Sequence, residues 1–159
     1  LMAYMASNGK ELESLLMPKL KEACEYVAKK IYEANHEVVE EVVYSAYTPS
    51  VYERTRELIR AWDNTEEIHD NEVYMDFSYQ ADQTTATSVI TGETVRNLAE
   101  IVYEGLAGPV FGQGPWTKRR DAWSVLLNKV GSRQMKTWFT EGLRKAGLDF
   151  KSHTFSILG

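Results

Sequence analysis

The feature that most constrains this chain is an apolar stripe near its start. Leu12, Leu16, Leu20, Ala23, Val27, Ile31, Ala34, Val38 and Val42 recur at spacings of 4, 4, 3, 4, 4, 3, 4 and 4, the seam of one long amphipathic helix. Asn8 followed by Glu11 has the form of a capping box, and Pro49 marks the far end. The spacing therefore predicts a helix over about 9–46, roughly 55 Å long. Pro18 lies inside it. A proline there removes a backbone donor and crowds the preceding turn, so a kink or restart is expected, with the firm helix over 18–46. Glu22, Glu25, Lys29, Glu33 and Glu40 form the charged opposite face, and Glu25 and Lys29 are spaced i,i+4 for a favourable pair.

Beyond the helix, Ser50 and Glu53 repeat the capping signature and predict a short helix through Leu58, Ile59 and Trp62, ending near Asp63 and Asn64. Val73, Met75, Phe77 and Tyr79 then alternate with Glu72, Tyr74, Asp76 and Ser78, the period of a half-buried strand. Asp70 and Asn71 are turn formers, so 65–69 should pair with it as a hairpin, and the β-branched stretch 84–90 predicts a third strand. Thr91 is positioned to cap a helix over 92–104 carrying Val95, Leu98, Ala99 and Val102. Residues 105–116 form a glycine and proline loop that also displays Leu106, Val110, Phe111 and Trp116. Pro115 suits the first turn of a helix with Trp123, Leu126, Leu127 and Val130. Ser132 can cap another with Met135, Trp138, Phe139, Leu143 and Ala146, closed by Gly147. The expectation is an α+β fold in which the long N-terminal helix and the C-terminal helices pack on a small antiparallel sheet. It forms one domain over 1–159, with 1–8 flexible and 148–159 a tail or edge strand.

A chain of 159 residues can bury a core without staples, and no apolar run approaches the roughly 20 residues that cross a bilayer. No membrane association is expected. Residues 1–9 lack the basic, apolar and small-residue parts of a secretory leader. Cys24 is the only cysteine, which precludes an internal disulfide, suits a reducing compartment and reads as a small buried hydrophobe. Charge is unevenly distributed. Residues 1–80 hold 8 Lys/Arg against 16 Asp/Glu, whereas 81–159 hold 10 against 7. Within 116–145, Lys118, Arg119, Arg120, Lys129, Arg133, Lys136, Arg144 and Lys145 face only Asp121 and Glu141. Such polarity suits a polyanion on one face, head-to-tail contact between identical subunits, or simply solvated helix faces.

Catalytic signatures are missing: there is no P-loop, dinucleotide fingerprint, nucleophile elbow or two-histidine zinc helix. Gly112 and Gly114 give only a Gly-x-Gly followed by Pro115. Glu66, Glu67, His69, Asp70 and Glu72 form the densest titratable cluster, with Glu67 and His69 on one strand face. They read either as carboxylate and imidazole ligands for a divalent cation or as a solvated hairpin. Cys24 and His36, 12 residues apart on one helix, are about 18 Å apart and cannot form a dyad. No enzyme, cofactor or metal site is expected. Trp116, Lys118, Arg119, Arg120 and Trp123 combine stacking with phosphate-neutralising groups, as in nucleic-acid binding. Alternatively, the tryptophans are core anchors and the basic residues face solvent.

The run Tyr47, Pro49, Tyr52, Arg54, Thr55 and Leu58, following a long amphipathic helix, resembles the minor tail-component family of tailed bacteriophages. These are the small neck or tail-completion proteins that join the capsid connector to the tail. The resemblance extends over about 30–147 and follows the family's order of elements. Ile101, Val102, Tyr103, Glu104 and Gly105 supply its aromatic-Glu-Gly step, and Gly114, Pro115 and Trp116 its loop before a basic C-terminal helix. Arg56 stands where a glycine often follows Arg-Thr, and residues 80–92 separate strand from helix by more than the family order. The resemblance implies a virion protein without catalysis, assembled in the host cytoplasm as a homo-oligomeric ring. Such a ring contacts connector or portal-side and tail proteins, with DNA passing through its lumen. Assembly contacts are then expected at Tyr47, Pro49, Tyr52, Arg54 and Thr55, at Phe111 and Trp116, and at Lys118, Arg119 and Arg120. A DNA-binding or packaging accessory protein using 116–145 is the alternative.

Overall fold

The computed structural model describes residues 8–46, 56–69, 72–80, 83–87, 92–105 and 119–148. Helix α1 spans Gly9–Val39. Its Asn8 side chain accepts the Glu11 backbone N–H at 2.9 Å, as the capping signature predicts. Of the kink or restart expected at Pro18, there is no restart: the helix runs unbroken through it. Pro18 and Ser14 both lie on the exposed face, so the Ser14 carbonyl that loses its donor turns to water instead of being stranded inside.

After Val39 the chain continues into a π-helical turn, Glu40–Tyr44, in which the Ser45 N–H donates to the Glu40 carbonyl at 2.8 Å. A π turn is wider than an α turn and shifts the buried seam. Val38, Val39 and Val43 are buried while Val42, the expected continuation, is half-buried. At the other end Leu12 is 48% exposed. Cys24 is half-buried, less enclosed than its type suggests.

Helix α2, Glu57–Arg60, begins immediately after Arg56, whose φ of 61° is left-handed. Trp62 therefore does not extend a helix from Ser50; it opens strand β1, Trp62–His69, which pairs antiparallel with β2, Glu72–Tyr79. Stacking of Trp62 on Phe77 of β2, with centroids 4.9 Å apart, outweighs its helical spacing from Leu58 and Ile59. The hairpin and the alternation of β2 are as predicted. The expected third strand is instead β3, Thr85–Thr87, which pairs with β4, Thr94–Arg96, in a separate two-stranded sheet. Here β-branched residues win over helical spacing: the Thr87 and Thr94 hydroxyls meet at 2.9 Å. Helix α3, Leu98–Glu104, consequently starts at Asn97 and not at Thr91. The Asn97 side chain both accepts the Glu100 N–H and donates to the Glu100 carboxylate at 2.6 Å.

Helix α4, Ala122–Lys129, is capped by Asp121, so Pro115 is not in its first turn. Helix α5, Ser132–Lys145, ends as predicted at Gly147, φ 81°. There the Gly147 N–H bonds the Arg144 carbonyl and the Leu148 N–H that of Leu143, a Schellman closure. The result is a mostly helical α+β fold. The core gathers Val38, Val39 and Val43 of α1 and its π turn with Leu58, Ile59, Trp62, Leu98, Val102 and Leu126. Helix α5 lies against α1 so closely that a Cβ on Gly142 would sit 2.9 Å from both the Cα and the carbonyl oxygen of Ala23. Residues 149–158, the expected edge strand, lie outside the described segments.

Candidate assembly surface

The charge asymmetry of the sequence is partly closed within the chain. Lys129 of α4 meets Glu37 of α1 at 2.5 Å, and Lys30 meets Glu33 at 2.6 Å. The hydrogen bond from Lys129 holds the Glu37 carboxyl below its usual value, as that from Lys30 does for Glu33. Tyr26 of α1 donates to Glu141 of α5 at 3.2 Å while the Lys145 ammonium lies 4.3 Å from the Tyr26 ring centroid. Lys19 reaches across to the Ala146 carbonyl. Arg133, Lys136 and Arg144 stay out of this pairing. They share the exposed face of α5, and their side chains make no hydrogen bond or ion pair among the described residues.

A second surface lies at the opening of α4. Trp62, 8% exposed, is sandwiched between Phe77 and Trp123, the Trp123 ring stacked at 5.3 Å and 11°. Tyr79 meets Trp62 edge-on at 5.0 Å and lies 6.3 Å from Tyr103. Trp123, a core anchor in one of the two readings, and Leu127 are 42% and 54% exposed; α4 buries only Ala122 and Leu126. A cleft of about 360 Å³ opens here, with Tyr79, Tyr103 and Trp123 in its walls and Glu100, Glu104, Arg119 and Asp121 among its charged lining. Burial pushes the Tyr79 hydroxyl up to about 12 and raises that of Tyr103 further. The Tyr103 hydroxyl has no partner among the described residues.

Of the sequence-predicted contacts, Arg119 and Arg120 are described. Arg119 is exposed and paired with Asp121 at 2.7 Å, in the cleft lining. The Asp121 carboxyl is held low first by the Ser124 backbone N–H, then by the Ser124 hydroxyl and Arg119. Arg120 is only 8% exposed and its backbone N–H bonds Val102, so the three-residue basic run does not present a single solvent face. Tyr47, Pro49, Tyr52, Arg54, Thr55, Phe111, Trp116 and Lys118 lie outside the described residues, as does Asp70 of the acidic hairpin cluster. Among the described residues no group of three His, Cys, Asp or Glu side chains is placed to hold a metal, and no helix is long and apolar enough to cross a membrane.

Arg56 ties the turn region to α1. Its guanidinium meets the Glu40 carboxylate of the π turn at 3.0 Å while its backbone holds the left-handed conformation. That conformation favours glycine, so Arg56 holds a backbone that glycine adopts more readily. Residues 8–145 match the YomN family, from the α1 cap to the last residue of α5. The chain belongs to the YomN family. This family is of phage origin. No curated protein and no solved structure matches the chain significantly.

Within the YomN-family region, the sequence places Tyr103 and Glu104 in the aromatic-Glu-Gly step without assigning them a surface. Trp62, the centre of the aromatic stack, is hidden in the sequence because it keeps helical spacing with Leu58. Its opposite number Tyr79 across the hairpin is the available signal.

Proposed function

We propose that this chain is a structural component of a tailed-phage particle at the head-tail junction, a neck or tail-completion protein. It assembles as a ring and contacts connector and tail proteins, without catalysis. The observation that carries this reading is the match to a family of phage origin over 8–145. Support comes from the order of elements within that match: long helix, hairpin, a helix ending at Tyr103-Glu104-Gly105, and basic C-terminal helices. Purified particles of the parent phage should contain the protein in fixed, multiple copies by quantitative mass spectrometry. Disruption of its gene should give filled heads and finished tails that fail to join. Absence from particles, with normal joining in the disrupted phage, would sink the reading.

One observation favours a second reading, DNA binding through 116–145. Arg133, Lys136 and Arg144 form a basic stripe on the exposed face of α5. If it holds duplex DNA, the slope of log affinity against log salt should approach about −3, because each neutralised phosphate contributes about −0.9. R133A/K136A should flatten it by about two.

A further inference from the structure

The cleft between α3 and α4 and the outer face of α5 are complementary in charge and lie on different elements. Glu100 and Glu104, one helical turn apart on α3, are both exposed. Glu100 is bonded only by the neutral Asn97 amide, and Glu104 makes no ion pair among the described residues. Arg119 is already matched by Asp121, so among the described residues the cleft carries a surplus of negative charge. Its walls are the rings of Tyr79, Tyr103 and Trp123. Acid at the rim and aromatic faces within are the chemistry that accepts a guanidinium or ammonium group: carboxylates take its hydrogen bonds, and a ring within about 6 Å attracts its charge.

The geometry points to this cleft as a socket for basic side chains on α5 of a second copy of the chain, Arg133 and Lys136 foremost. The supply matches the demand: these side chains are exposed, lie on one face of α5 and have no partner among the described residues. Because socket and plug are different surfaces, the contact is either reciprocated about a two-fold axis in a dimer or repeated from copy to copy, closing into a ring or extending as a filament. The inference deepens the proposed ring and rests on it for its biological setting. Lys129 and Lys145 are not plugs, since Glu37 and the Tyr26 ring already hold them.

Charge exchange tests it. In sedimentation equilibrium the wild-type chain should self-associate. E100K/E104K and R133E/K136E should each weaken association by about 30-fold or more, with circular dichroism unchanged. A 1:1 mixture of the two variants should restore it, because each then offers the surface the other needs. Failure of the mixture to associate overturns the inference, as does a wild-type chain that stays monomeric. Equal weakening by E22K/E25K on the exposed face of α1 overturns it too, by showing that charge balance alone is at work. Particle composition separates this inference from the ring reading. Protein present in particles without complementation sinks the socket alone. Complementation without the protein in particles sinks the virion role alone.

Discussion

The α1–α5 seam and the α3–α4 cleft use the same kinds of residue and end in opposite states. Along the seam, Gly142 lets two backbones touch, Tyr26 is clasped by Glu141 and Lys145, and Lys19 closes on the Ala146 carbonyl. Polar groups there find partners across the interface. In the cleft, Trp123 stands 42% exposed, and among the described residues the buried Tyr103 hydroxyl has no hydrogen-bond partner and Glu104 no ion pair. The contrast separates a contact completed within one chain from one left incomplete. Total burial would not reveal it, since both regions reach the core.

Four measurements can break or sharpen that contrast. The largest effect is expected at Trp62, the buried centre of the stack behind the cleft: W62A should cost about 3–5 kcal/mol in chemical denaturation. W123A removes the exposed outer ring and should cost much less, and equal losses would mean the cleft is as closed as the seam. Next is G142A, which forces a methyl group onto the Ala23 backbone. Overpacking of about 1–3 kcal/mol should outweigh the roughly 1 kcal/mol that alanine contributes to a helix, giving net destabilisation. A neutral result would mean the helices do not touch there.

The third measurement uses pH. The Tyr79 hydroxyl titrates at 10.0 when unfolded and is pushed up to about 12 by burial, with Tyr103 shifted the same way. The fold therefore favours the neutral phenols. Their contribution is fully present below pH 10 and is lost as pH rises from 10 through about 12. The denaturation midpoint should fall over that window, and the fall should be reduced in Y79F/Y103F. The smallest effect lies outside both regions. R56G relieves a left-handed backbone but loses the exposed Glu40 pair and gains chain entropy when unfolded, so a net stabilisation of about 0.5–1 kcal/mol is expected.

Much of the fold was readable because it depends on local chemistry. Asn8 caps its helix, Gly147 ends one, and the alternation from Val73 to Tyr79 makes a strand, each through neighbours a few residues away. The misplacements came where distant partners decide. Trp62 joins a strand because Phe77 and Tyr79 lie across from it, and Thr94 to Arg96 is a strand because Thr85 to Thr87 is its ladder. Periodicity carries neither fact. The cleft was least legible of all, since Tyr79, Tyr103 and Trp123 come from three separate elements. Arg56 ran the other way: the sequence marked it as a departure from a glycine pattern, and its backbone holds a positive φ.

The π turn at Glu40–Tyr44 also bears on how the chain tolerates changes of length. Such a turn is an α-helix holding one residue more than its pitch accommodates. Deleting Glu41 from it would restore ordinary pitch and leave Val43 in the seam, four residues after Val38 instead of five. The downstream chain would keep nearly its direction, because four residues at α pitch turn about as far as five in the π turn, and Glu40 would stay near Arg56. Relatives lacking one residue at this point should therefore keep the direction the chain takes after Tyr44, whereas loss of one residue from the regular helix before it should turn that chain by about 100°.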